Sequence, residues 1–122
     1  MKVTLPWPPR TLSPNSRTHW ATMAKAKAMY RHTCWALAKQ SLEPISPEAR
    51  PLILLTFRPP SRRRHDLDNA LASIKSGLDG VASALGCDDS RWRLQLEMSD
   101  QITGEVVVEV TQYIADLPWG KA

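Results

Sequence analysis

Hydrophobic and polar residues alternate at the start of the chain, with Val3 and Leu5 set against Lys2 and Thr4, and this predicts a short strand ending at Pro6. Pro6-Trp7-Pro8-Pro9 stops it. Together with Ser13-Pro14-Asn15-Ser16 these prolines predict an extended loop to about residue 17. From Thr18 to about Ser41 there is no Gly or Pro, alanine is abundant, and Met23, Tyr30, Cys34 and Leu37 fall near one helical face. That segment predicts the first helix. Pro44, Pro47 and Pro51 make the next stretch a loop. Leu52-Ile53-Leu54-Leu55-Thr56-Phe57 then lacks alternation, the pattern of a central strand covered on both faces.

Leu67, Leu71, Ile74, Leu78, Val81 and Leu85 are spaced 4, 3, 4, 3 and 4, which predicts a second helix starting near Asp68 or Asn69. Gly86 suits the position just past its end. Trp92 to Met98 and Glu105 to Tyr113 alternate well enough for two strands, with a turn around Asp100 to Gly104. The expected fold is α/β (α+β) in the order βαβαββ, a small mixed sheet with two main helices. One domain covers residues 1–122, with 115–122 as a loose tail.

Composition adds limits. No stretch approaches the roughly 18 apolar residues of a membrane span, and Pro6, Pro8 and Pro9 disrupt any signal-peptide core, so a cytoplasmic protein without a membrane partner is expected. Cys34 and Cys87 have no zinc or disulfide spacing and read as free, buried or half-buried thiols. His19, His32 and His65 have no ligand spacing either.

Charge is unevenly distributed. Residues 1–65 carry twelve Lys/Arg and two acids, a net +10, whereas residues 66–122 carry four Lys/Arg and ten acids, a net −6. The sign changes between Arg64 and Asp66. A basic half of this kind suits a polyanion partner.

Candidate chemistry gathers at that boundary. Arg62, Arg63 and Arg64 are followed at once by Asp66 and Asp68, and Asp88 and Asp89 come after the second helix. Two readings are open: the acids cap a helix and turn a loop, or they hold a hard divalent cation such as magnesium or manganese. The second requires them to meet, yet the ends of a helix of about 18 residues lie about 27 Å apart. Lys75 lies about 20° around the helix from Asp68. It either reaches a phosphate beside Asp68 or pairs with Asp79 one turn on.

Leu5-Pro6-Trp7-Pro8-Pro9, Tyr30-Arg31, the run Arg62-Arg63-Arg64-His65-Asp66-Leu67-Asp68-Asn69 and Cys87-Asp88-Asp89-Ser90 together resemble the RusA-type Holliday junction resolvases, over roughly residues 3–113. The resemblance implies a homodimeric, magnesium-dependent endonuclease, commonly of phage or prophage origin, that nicks two opposed strands of a four-way DNA junction. The family's metal-binding aspartates fall on Asp66, Asp68 and Asp89. Its catalytic lysine falls on Ala72, and Lys75, nearly one turn further along, is the candidate substitute. In this context Arg62, Arg63 and Arg64 neutralise phosphates, with Arg17 beside them, and Trp7 either stacks on bases at the junction or packs in the fold. Two alternatives follow: a junction-binding protein without catalysis, for which Ala72 argues, and a metal-dependent nuclease acting on other branched or duplex DNA.

Overall fold

The computed structural model describes residues 1–111. The expected tail at 115–122 lies outside the described residues, as do the last two residues of the strand expected to reach Tyr113. The described residues form a single-domain α+β fold in which two helices cover one face of a four-stranded mixed sheet. Its elements are β1 (Lys2–Pro6), α1 (Trp20–Ser41), β2 (Leu52–Arg58), α2 (Leu67–Leu85), β3 (Arg93–Met98) and β4 (Glu105–Thr111), with short 3-10 turns at Arg10–Leu12 and Asp89–Arg91.

The strand order is β1-β4-β2-β3. Although β3 and β4 are consecutive in the chain, they do not pair. β4 runs antiparallel to both β1 and β2, and β2 pairs in parallel with β3. It follows that β1, β2 and β3 all point the same way and that each helix returns antiparallel to them, so α1 and α2 lie parallel. The fold therefore has two poles. At one lie the ends of β1, β2 and β3 and the starts of both helices; at the other lie the helix ends, where the Ile45 N–H donates to the Leu85 carbonyl at 2.9 Å.

Alternation within the strands separates the two faces. Val3 and Leu5, Ile53, Leu55 and Phe57, and Val106, Val108 and Val110 are buried beneath the helices. From α2, Ile74, Leu78, Val81 and Leu85 complete the core, while Leu67 and Leu71 are only partly buried. Coverage of β2 on both faces is corrected by the structure. Leu52, Leu54 and Thr56 point to the sheet face that no helix among the described residues covers, and they are half-buried. Among the described residues the apolar run thus has two strand neighbours and one helical layer, rather than two layers.

α1 begins two residues later than expected. The His19 Nδ1 accepts the Ala21 N–H at 3.3 Å and so caps the helix. Gly86 closes α2 in the left-handed conformation, φ 71°, that favours glycine. The Tyr30 hydroxyl donates to the Pro6 carbonyl at 2.6 Å and ties α1 to the end of β1. Cys34 and Cys87 are free and buried. Burial raises the Cys34 thiol from its ordinary 9.0 to about 11, outweighing the opposing effect of Tyr30.

The helices touch most closely at Gly77 and Gly80. A Cβ on Gly80 would stand 2.3 Å from the Arg31 carbonyl oxygen and 2.9 Å from the Trp35 amide nitrogen. Both are backbone atoms, so relief requires one helix to move. Gly80→Ala is accordingly expected to destabilise the fold by about 2–3 kcal/mol, which lowers the thermal midpoint by roughly 10 °C. An unchanged midpoint in differential scanning calorimetry would show that the helices part at no cost.

Candidate metal and nucleic-acid site

The loop between β2 and α2 lies at the pole where the parallel strands end. Pro59 and Pro60 stop β2 by removing the N–H groups a ladder needs. The chain then turns through Ser61–His65 into the first turn of α2. Ser61 organises the turn: its hydroxyl lies 3.4 Å from the His65 Nε2 and accepts the Arg63 N–H at 3.4 Å. Two neighbouring loops are fastened alongside. The Trp7 N–H donates to the Gly104 carbonyl at 3.0 Å, the Gly104 N–H to the Pro59 carbonyl at 3.2 Å, and the Ser99 N–H to the Phe57 carbonyl at 2.8 Å.

Trp7 is half-buried and held edge-on by two rings. Its centroid lies 6.0 Å from Phe57 at an interplanar angle of 77° and 5.5 Å from His65 at 70°. Of the two expected roles, these contacts exhibit packing. The ring joins the core to the arginine loop through His65.

Arg62, Arg63 and Arg64 are exposed. The Arg64 Nε lies 3.4 Å from an Asp66 carboxylate oxygen, whereas Arg62 and Arg63 make no ion pair among the described residues. Both line an open groove of about 390 Å³ with Pro59, Ser61, His65 and Asp100. Arg17 is also exposed, in the loop before α1 at the same pole. Three guanidinium groups with no carboxylate partner therefore face solvent at the strand ends, an arrangement suited to an anion.

Asp66 occupies the N-cap position of α2 but makes no side-chain cap hydrogen bond, and Asp68 is exposed in the first turn. Capping does not account for either carboxylate. Both benefit from the positive end of the helix dipole. Lys75 is exposed two turns along, on the row that contains Asp68 and Ala72; no ion pair with Asp79 forms.

Asp88 and Asp89 lie at the opposite pole. α2 runs without interruption for 19 residues, about 28 Å by helical rise, and ends beside the start of β3. There the Arg93 N–H donates to the Pro51 carbonyl at 2.9 Å. The Asp88 carboxylate caps the following 3-10 turn by accepting the Ser90 N–H at 3.3 Å, and its bonds to Ser90 hold its pKa below the ordinary carboxylate value. Asp89 is half-buried and its carboxylate has no hydrogen-bond partner among the described residues. One chain thus does not bring Asp66, Asp68 and Asp89 together, and among the described residues no three His, Cys, Asp or Glu side chains are grouped to hold a metal ion.

Beyond the expected site residues, α1 contains no Asp or Glu among four Lys/Arg. That acid-free run is legible in the sequence itself.

Fold and site together define a two-layer α+β domain with an arginine- and aspartate-bearing loop at the ends of its parallel strands. The chain belongs to the same family as an uncharacterized protein of Xylella fastidiosa (strain Temecula1 / ATCC 700964). The two are 38% identical over 114 residues, which cover 89% of this chain and 74% of the relative. No family model matches the chain. No helix among the described residues is long and apolar enough to cross a membrane.

The two ring contacts of Trp7 generate a prediction. Trp7→Ala removes a partly buried aromatic anchor and is expected to cost about 2 kcal/mol of stability, read as a lower urea midpoint. A midpoint equal to wild type would free Trp7 from its packing role.

Proposed function

We propose that this protein is a magnesium-dependent endonuclease of the RusA type that resolves four-way DNA junctions as a homodimer. The observation that carries the reading is the juxtaposition of Asp66 and Asp68, neither used as a side-chain cap, with the unpaired Arg62 and Arg63 at one pole. The arginines neutralise phosphates, and the carboxylates attract the divalent cation that offsets their repulsion from DNA. Manganese satisfies the same oxygen donors.

Two carboxylates in one chain are fewer than the three expected. The third comes from a second copy in this reading. α2 exposes Asp68 at one pole and leads to Asp89 at the other, so two copies related by a two-fold axis, with their α2 and β3 edges antiparallel, juxtapose Asp66 and Asp68 of each with the partner's Asp89. Such an isologous arrangement yields two equal sites, as paired nicks require. An apolar margin suits this contact: Leu94 is 43% exposed on the edge strand β3, Leu96 and Met98 are half-buried beside it, and no described strand pairs with the outer edge of β3.

A bound divalent cation would supply Lewis acidity at the phosphodiester and favour ionisation of water near neutral pH. Asp66 and Asp68 would hold it with Asp89. Lys75, on the Asp68 row, stabilises negative charge developing on the scissile phosphate. The second reading, junction binding without catalysis, is favoured by Ala72, which leaves the first exposed position after Asp68 on that row without a cation.

Complementation tests the composite site. Asp68→Asn and Asp89→Asn homodimers are each expected to lose cleavage of a synthetic four-way junction by at least a hundred-fold while still binding it. Mixing the two variants recreates one intact site per heterodimer and restores nicking of one strand. A site built within one chain predicts no recovery, and retained full activity in either variant removes that residue from the site. No magnesium-dependent cleavage by wild type would favour the second reading, and faster cleavage of flap or duplex than of junction would reassign the substrate.

The proposed dimer margin has its own prediction. Leu94→Arg places a charge on the edge of β3 and is expected to shift sedimentation from dimer to monomer with little change in thermal midpoint. A dimer that survives this change would move the interface elsewhere.

A further inference from the structure

The flank of α1 beside α2 carries an exposed row that belongs to neither the core nor the proposed catalytic groups. Trp20, Ala24, Lys27, Arg31 and Trp35 recur at intervals of 4, 3, 4 and 4, which places them on one row, and all five are exposed. Trp20 is 76% exposed and Trp35 37%, a large apolar area for a helix surface. Lys25 and Lys39 add charge around the same helix, and no acid occurs between Trp20 and Ser41. Alanines separate the cations and leave room for a backbone to approach.

This row runs beside the exposed row of α2. The Arg31 Nη2 donates to the Ser83 hydroxyl at 3.0 Å across the two helices. Since the helices are parallel, Trp20 starts its row at the pole that also holds Asp68 and the arginine loop. From Trp20 to Trp35 the row rises about 22 Å, the length of about six base pairs. Asp68 and Asp79 are the acids on the exposed row of α2, whereas the row of α1 beside it carries Lys27 and Arg31 and no acid.

We infer that this exposed flank of α1 is a second nucleic-acid surface, which holds a duplex arm leaving the Asp66/Asp68 pole. The inference rests on the function proposed above. Lys27 and Arg31 take phosphates of the arm, and Trp20, at the pole where a branch would begin, stacks on a base exposed there. Continuity with Arg62 and Arg63 at one pole favours DNA over an acidic protein, which would need no second basic cluster beside a carboxylate pair.

The test is fluorescence anisotropy of a labelled four-way junction and a labelled linear duplex across a salt series. Lys27→Ala/Arg31→Ala is compared with wild type and with Arg62→Ala/Arg63→Ala/Arg64→Ala. Loss of two phosphate contacts is expected to reduce the slope of log K against log salt by about 1.8 on both DNAs. The charge-conserving Lys27→Arg/Arg31→Lys keeps the wild-type slope. Trp20→Ala weakens junction binding roughly ten-fold and leaves the slope unchanged. An unchanged slope in the double alanine variant overturns the α1 surface, and a reduced slope in the arginine-loop variant would then leave the proposed function standing. If wild type binds neither DNA, both fail. Tight binding of an acidic polypeptide such as polyglutamate, with no binding of DNA, would reassign the face to a protein partner.

Discussion

Everything at the working pole depends on how closely the two helices approach. With only hydrogen at position 80, the backbone of α1 passes directly over α2, and a Cβ there would come within 2.3 Å of the Arg31 carbonyl. That contact fixes the separation and register of two parallel helices whose first turns are among the candidate functional groups. It also sets the two exposed rows side by side, which is why Arg31 reaches Ser83. A wider pair would withdraw Tyr30 from Pro6 and uncouple α1 from the end of β1.

The second constraint is topological. A β-α-β unit with parallel strands needs its helix to return the full depth of the sheet, so residues just before and just after that helix are separated by its length. Asp66 and Asp89 are such residues. The separation is a property of the fold, since the 19-residue helix has no break at Gly77 or Gly80 that would let the chain turn back early. A metal site with all three aspartates therefore belongs to an assembly or to no one, whereas the arginine loop is complete within each chain.

Much of the architecture was legible in the sequence because α2 and β1 have strong periodicities matched to their surroundings. The 4-3-4-3-4 spacing in α2 and the glycine at its end specify helix, face and stop with little help from tertiary contacts. The β2 run was less informative: unbroken hydrophobicity records burial without saying whether helices or neighbouring strands supply it. Strand order was not legible, since nothing local to β4 says that it inserts between β1 and β2. At the candidate site, residue types and the loop were visible, but the separation of Asp66 from Asp89 required the parallel pairing of β2 with β3. α1 is less legible than α2 because its alanines blur the buried face and with it the basic row on the flank beside α2.

The placement of β4 also governs the order in which the molecule can be completed. β1 finds its only described strand partner in β4, with Val3 opposite Val108 and the terminal amine donating to the Val110 carbonyl at 3.1 Å. A chain emerging from the ribosome can thus assemble β2, α2 and β3 as a local parallel unit, but its first strand must wait for nearly the last. Until then the buried side chains of β1 and β2 have no common sheet, and the helices have only part of a floor. Pairing β1 with β4 closes the longest loop between paired strands among the described residues, a topology that slows folding.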